Sequence, residues 1–236
     1  NISQVKHLGK ILESIPKNEW DKNTAIVLTD ENLLIPLIHS LPEGVESVNI
    51  TMGYPLKNSL TYSFIEALIT LQTHSHSKED RSVFYHKDVT WLLTHPYIVD
   101  SCGKRAADYA NKIVSKRITS IDNTLFTDDE LLSLIFTSIG DWQSLGRYLI
   151  NAIEAIMQRL PEHAHDQHEH LRIMSEEITK TMHSAESCTV EIPNNVFISL
   201  LRRHLQTVTI PYKGEPLEGI QVLGILETRN VDFKNV

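Results

Sequence analysis

Three short apolar runs, Thr24–Leu28 (TAIVL), Val48–Ile50 and Ile220–Leu223, have the length of buried strands, and Val208-Thr209-Ile210 has strand character shortly before the last of them. Between the second and the third lies a long stretch with almost only helical periodicity. This order, strands then helices then a strand again, constrains the fold more than any composition value. A single α/β sheet domain interrupted by a helical insertion is the economical arrangement, because the terminal runs are each too short to form a sheet alone.

The first 15 residues place Ile2, Val5, Leu8 and Ile11-Leu12 at helical spacing, and Pro16 stops the run. Thr29-Asp30 can cap a helix carrying Leu33, Leu34, Leu37, Ile38 and Leu41, which Pro36 should shorten or kink. The turn Pro42-Glu43-Gly44 leads into Val48–Ile50, completing one βαβ-type unit. The polar stretch 73–82 (THSHSKEDRS) predicts a boundary. From Phe84 to about Gln206 the spacing is helical throughout. Asp100-Ser101 can cap a helix through Ala106, Tyr109 and Ile113, and Thr127 with Glu130 has capping-box spacing. Trp142, Leu145, Leu149, Ile153, Ile156 and Leu160 step by three or four, which makes Trp142 a core residue. The expected organisation is therefore 1–82 as the first part of the α/β domain, 83–206 as an all-helical insertion, and 207–236 as the return.

Composition narrows the function classes. No apolar run reaches the roughly 18 residues of a membrane helix. The start, NISQVKHLGK, has no signal-peptide pattern and no initiator Met, and it reads as part of something longer. Cys102 and Cys188 form neither a metal-ligand spacing nor a disulfide framework, which fits a reducing, cytoplasmic compartment. A net charge of -8 argues against an autonomous nucleic-acid groove. No GxxxxGK[ST], GxSxG, HExxH or CxxC motif occurs, so no catalytic residue and no metal site is expected. The four histidines of PEHAHDQHEH (His163, His165, His168, His170) read as a solvated helix start.

The stretch Gly219–Val236 (GIQVLGILETRNVDFKNV) leads from a buried strand into a polar loop, the place where open α/β sheets hold ligands. It resembles motif V of superfamily I DNA helicases (TxHxxKGLEF), and more closely the degenerate LExRGLxF version of AddB-type inactivated-helicase nuclease proteins. The whole order is similar to the second RecA-like domain of UvrD/Rep-type helicases, a partial parallel sheet interrupted by a helical subdomain. Ala25–Asp30 resembles the family's AILYRS segment, with Thr29 where the family has an arginine that reaches the ATP γ-phosphate. Gly53 matches the glycine loop after the next strand. Leu226 stands for the motif V histidine, Arg229 for its lysine, Asn230 for the nucleotide-proximal glycine and Asp232 for its glutamate. Glu227, Arg229 and Asp232 are the charges at this loop.

The resemblance implies a bacterial module of a double-strand-break repair nuclease, acting as scaffold and DNA guide without ATP hydrolysis, since Thr29 and Asn230 replace working residues. ATP and magnesium would enter only if the whole protein were an active helicase, which is the alternative enzyme reading. A protein-interaction module docking a partner helicase–nuclease subunit is the third. Phosphate contacts would come from Lys104, Arg105 and Lys112 on one helix and from Arg202-Arg203. For the basic helix and for the charges of Gly219–Val236, solvated faces and architectural ion pairs remain the alternatives.

Overall fold

The three apolar runs form one parallel sheet in the computed structural model, which describes residues 2–78, 81–161, 163–210, 219–228 and 231–236. The chain divides into two compact units, Asn1–Tyr54 with Thr209–Val236, and Pro55–Val208. The first unit is α/β and the second is mainly helical.

In the first unit the strands of the parallel sheet are Ala25–Leu28, Val48–Ile50 and Ile220–Gly224, and Thr209–Ile210 is a further short strand outside it. Ile220–Gly224 lies in the middle. Val222 stands in register with Ile26 on one side and Ile50 on the other, and both pairings are parallel. The two strands adjacent in sequence therefore never pair. Every residue of Ile220–Gly224 is buried, as expected of a strand flanked on both edges. On one face Ile26, Leu28, Ile220 and Val222 pack with Val5 and Leu12 of the helix Ile2–Glu13, with Leu34 and Leu37 of the helix Leu34–Ile38, and with Met52.

Local chemistry explains the connections. Trp20 donates its indole N–H at 3.1 Å to the Leu12 carbonyl at the end of the first helix, which also accepts the Ile15 amide at 2.9 Å. Asp30 Oδ1 accepts the Asn32 amide at 3.1 Å and starts the turn into Leu34–Ile38. Pro36 is tolerated because it falls in the first turn, where amides lack intrahelical acceptors, and the helix is five residues long. Near the other end of the chain, Asn235 bridges in parallel to Thr24, and its side chain donates to Glu19 Oε2 and Thr24 Oγ1. Lys234 pairs with Glu19.

The second unit corrects three expectations. The stretch 83–206 is not wholly helical: it holds the end of Arg81–Tyr85 and all of Ser120–Asp122, which with His76–Lys78 form a small antiparallel sheet with Arg81–Tyr85 central. The compact unit itself runs from Pro55 to Val208. The helix Leu60–His74 carries Phe64, Ile65, Leu68, Ile69 and Leu71 buried, a face too broad for one side of a short sheet. Gln72 near the end of this helix bonds to the Thr137 carbonyl and the Ile139 amide, and Ser82 Oγ accepts from the Ser138 amide, all within this unit. Two helix starts also differ. Asp100-Ser101 sit inside Pro96–Cys102, and Gly103 at φ 53° breaks the chain before Lys104–Ser115. Asp129, not Thr127, caps Glu130–Ile135, accepting the amides of Leu131 and Leu132.

The remaining helices are His86–Leu93, Trp142–Met157, His165–Glu186 and Asn194–Leu205. Trp142 is buried and stacks on Phe197 with ring centroids 4.8 Å apart. Among the described residues, no helix is long and apolar enough to cross a membrane.

Candidate functional site

Because the three strands of the first unit's sheet run parallel, their carboxyl ends share one edge. The residues that follow are Thr29 after the first strand, Thr51 after Val48–Ile50, and the 3-10 turn Ile225–Thr228 after the central strand. Open parallel sheets place ligands at this edge, where loops diverge and backbone groups lack ladder partners.

Glu227 is the organiser of the edge. Its Oε2 accepts the Gly224 amide at 2.7 Å and the Thr51 hydroxyl at 2.9 Å. The Thr51 amide in turn donates to the Val222 carbonyl at 3.1 Å, continuing the ladder one residue past the strand. One carboxylate oxygen thus joins the ends of two neighbouring strands, while Glu227 itself stays exposed. Thr51 was not marked by the sequence. Its only signal is a hydroxyl immediately after a buried strand.

The other candidates at this edge divide. Thr29 and Asp232 are exposed. Gly53 has a packing reason for being glycine: a Cβ there would lie 2.6 Å from Thr209 Cβ and 3.3 Å from the Ile210 carbonyl oxygen. Arg229 and Asn230 lie outside the described residues.

In the second unit the basic candidates differ in how far they are engaged. Lys104, Arg105 and Lys112 are exposed on Lys104–Ser115. Arg105 pairs with Asp129 at 3.5 Å, and Arg159, unmarked by the sequence, pairs with the same carboxylate at 3.2 Å. Burial alone would raise the Asp129 pKa, but the amides of Leu132 and Leu131 and the Arg159 guanidinium hold it below the usual range. Arg202 is a fork on Glu66, with Nε at 2.9 Å and Nη2 at 2.9 Å from Oε2. Nε also lies 3.2 Å from Oε1, and these charge-assisted bonds tie helix Asn194–Leu205 to helix Leu60–His74. Arg203 is exposed.

His163 and His165 are exposed and His168 and His170 half-buried around the start of His165–Glu186. Burial pushes the His170 pKa down. Among the described residues, no group of three or more histidine, cysteine or acidic side chains could hold a metal ion. Among the described residues, the most buried imidazole is elsewhere. His95, 4% exposed, lies against Phe64, Trp91 and Tyr97, and its Nδ1 accepts the Tyr97 amide, which caps helix Pro96–Cys102. Nε2 is then the protonated nitrogen, 3.1 Å from Ser63 Oγ. The chain matches no protein-family model and no curated protein.

Proposed function

We propose that this chain is a non-catalytic, helicase-like module of a DNA break-repair nuclease of the AddB-like kind, serving as scaffold and DNA guide. The observation that carries the reading is the strand order. The chain leaves a parallel sheet, passes through a helical unit of residues 55–208, and returns to place its last strand between the first two. A RecA-like second helicase domain with its helical subdomain would have this plan. The edge chemistry supports loss of the motor: Thr29 has no cationic group for a γ-phosphate, and Glu227 bonds to backbone and Thr51.

The test is a pair of measurements on the chain. ATP turnover should be absent. Binding of labelled duplex and single-stranded DNA should be weak, with Kd about 10⁻⁴ to 10⁻⁶ M at physiological salt, and should weaken as salt rises. Measured ATP turnover would overturn the motor-less reading, and DNA affinity independent of salt would overturn the guide role. A docking role for the helical unit is favoured by one observation: Val196 and Leu200, one turn apart on Asn194–Leu205, are 43% and 48% exposed. Pull-down of a partner subunit with Val196→Ser/Leu200→Ser against the unaltered chain separates that role from DNA guiding.

A further inference from the structure

Helices Leu60–His74 and His86–Leu93 of the second unit do not close completely on each other. Between them lies a groove of about 500 Å³, within the size range of small-molecule sites. Its floor is a row of small residues on one helix, Ser63, Ala67 and Thr70, so the backbone there leaves room that larger side chains would fill. Its wall is Trp91, 48% exposed. An indole left half in water beside a preformed concavity is unusual for a side chain whose burial is so favourable.

The groove is preorganised. The Trp91 ring lies 5.3 Å from the buried His95 ring, and Ser63 Oγ is 3.1 Å from His95 Nε2. At the far end Tyr62 donates to Glu66 Oε1 at 3.0 Å and accepts from Gln206 at 3.3 Å. The wall and floor are therefore fixed before any ligand arrives, which lowers the entropic cost of binding.

Charge selects among apolar ligands. Of the two carboxylates on the rim, Glu66 is clamped by Arg202, and Asp88 is bonded to the His74 ring at 2.7 Å. The cation among the lining residues is the Lys87 ammonium, 5.9 Å from the centre of the Tyr85 ring. We propose that this groove binds a flat aromatic ligand bearing one anionic group, with the ring against Trp91 and the anion at Lys87. Aromatic faces stack on indole, and an ammonium at the rim of an apolar site favours a single negative charge.

Anilinonaphthalene sulfonate and its neutral relative phenylnaphthylamine serve as probes on the intact chain, read by dye fluorescence and energy transfer from tryptophan. Both should bind saturably at one site. Lys87→Met should weaken the sulfonate about tenfold and the neutral dye by less than about twofold. Ala67→Leu and, independently, Thr70→Leu should abolish both, with thermal melts by circular dichroism confirming that each variant folds. Absence of saturable sulfonate binding, or binding unchanged in whichever filled variant folds, would overturn the site. Equal effects of Lys87→Met on the two dyes would overturn the assignment of the anion.

Discussion

The side-chain amide of Asn49 donates to Gln221 Oε1 at 2.6 Å, joining two parallel strands through buried polar groups 172 residues apart in the chain. Gln221 Nε2 donates onward to the Gly219 carbonyl at 2.9 Å. A polar pair inside a sheet is costly unless both partners are satisfied. Gln221→Leu leaves Asn49 without its acceptor and should cost about 1–3 kcal/mol. The double variant Asn49→Val/Gln221→Leu should cost less than the sum of the single changes, because it leaves no orphaned group. Urea denaturation of the four proteins measures the coupling.

Two glycines with positive φ separate backbone strain from collision. Gly219 has φ 72°, and a Cβ there would lie 2.1 Å from the Ser47 carbonyl oxygen; Gly103 has φ 53° and nothing within 4 Å of its Cβ position. Gly103→Ala should cost only the backbone conformation, φ 53° and ψ -133°, which lies outside the left-handed helical region and is open almost only to glycine, about 1–3 kcal/mol. Gly219→Ala must also displace the strand start at Ser47, where the Ile220 amide bonds, so its loss should exceed that of Gly103→Ala. Thermal melts of the two variants under one buffer give the order.

The organisation along the chain was legible because apolar runs and helical periodicity are local properties. Strand order was not. Nothing near Ile220 says that it will lie between Ile26 and Ile50, since pairing joins residues far apart in sequence. The antiparallel strands His76–Lys78 and Arg81–Tyr85 escaped notice because His76, Ser77, Lys78, Arg81 and Ser82 carry almost no apolar signal, and backbone pairing holds them. Candidate charges were visible as charges, but whether each is free depends on distant partners. Arg202 meets Glu66 across 136 positions and Glu227 meets Thr51 across 176, separations that no local pattern encodes.

The buried His95 makes the second unit sensitive to acid. Burial lowers its pKa to about 4 from the ordinary 6.5. The unfolded chain then takes up a proton at this ring near pH 6.5 while the folded chain does not. The stability contribution is complete above pH 6.5 and is lost progressively as pH falls from 6.5 towards 4, by about 3 kcal/mol in all. His95→Gln removes the titration, so its stability should change less over that window even if it is lower at neutral pH. Denaturant midpoints at several pH values between 4 and 7 compare the two slopes.

Arg202 and Glu66 should behave as a structural pair. Their side chains are 38% and 27% exposed, so solvent screens the interaction, and the coupling energy in a double-mutant cycle of Arg202→Met and Glu66→Gln should be about 0.5–1 kcal/mol. Arg203 is exposed one position on. If the helical unit guides DNA, Arg203→Ala should lower affinity and reduce the salt dependence, while Arg202→Met, measured on folded protein, should leave both nearly unchanged. Fluorescence anisotropy at two salt concentrations reads the difference.

Glu227 tests whether the sheet's carboxyl edge is architecture. Glu227→Ala leaves the Gly224 amide and the Thr51 hydroxyl without their shared acceptor, but the site is exposed, so water replaces part of the bond and the loss should be about 1 kcal/mol. Glu227→Gln keeps a carbonyl oxygen that can accept from the same two donors and should lose less. The Gly224 amide should exchange with solvent faster in the alanine variant than in the glutamine variant, because its protection depends on the acceptor and not on the charge. If instead the negative charge itself holds the edge, the two variants will exchange alike. Hydrogen exchange at this amide therefore distinguishes an acceptor role, in which Glu227 splices two strand ends, from a purely electrostatic one.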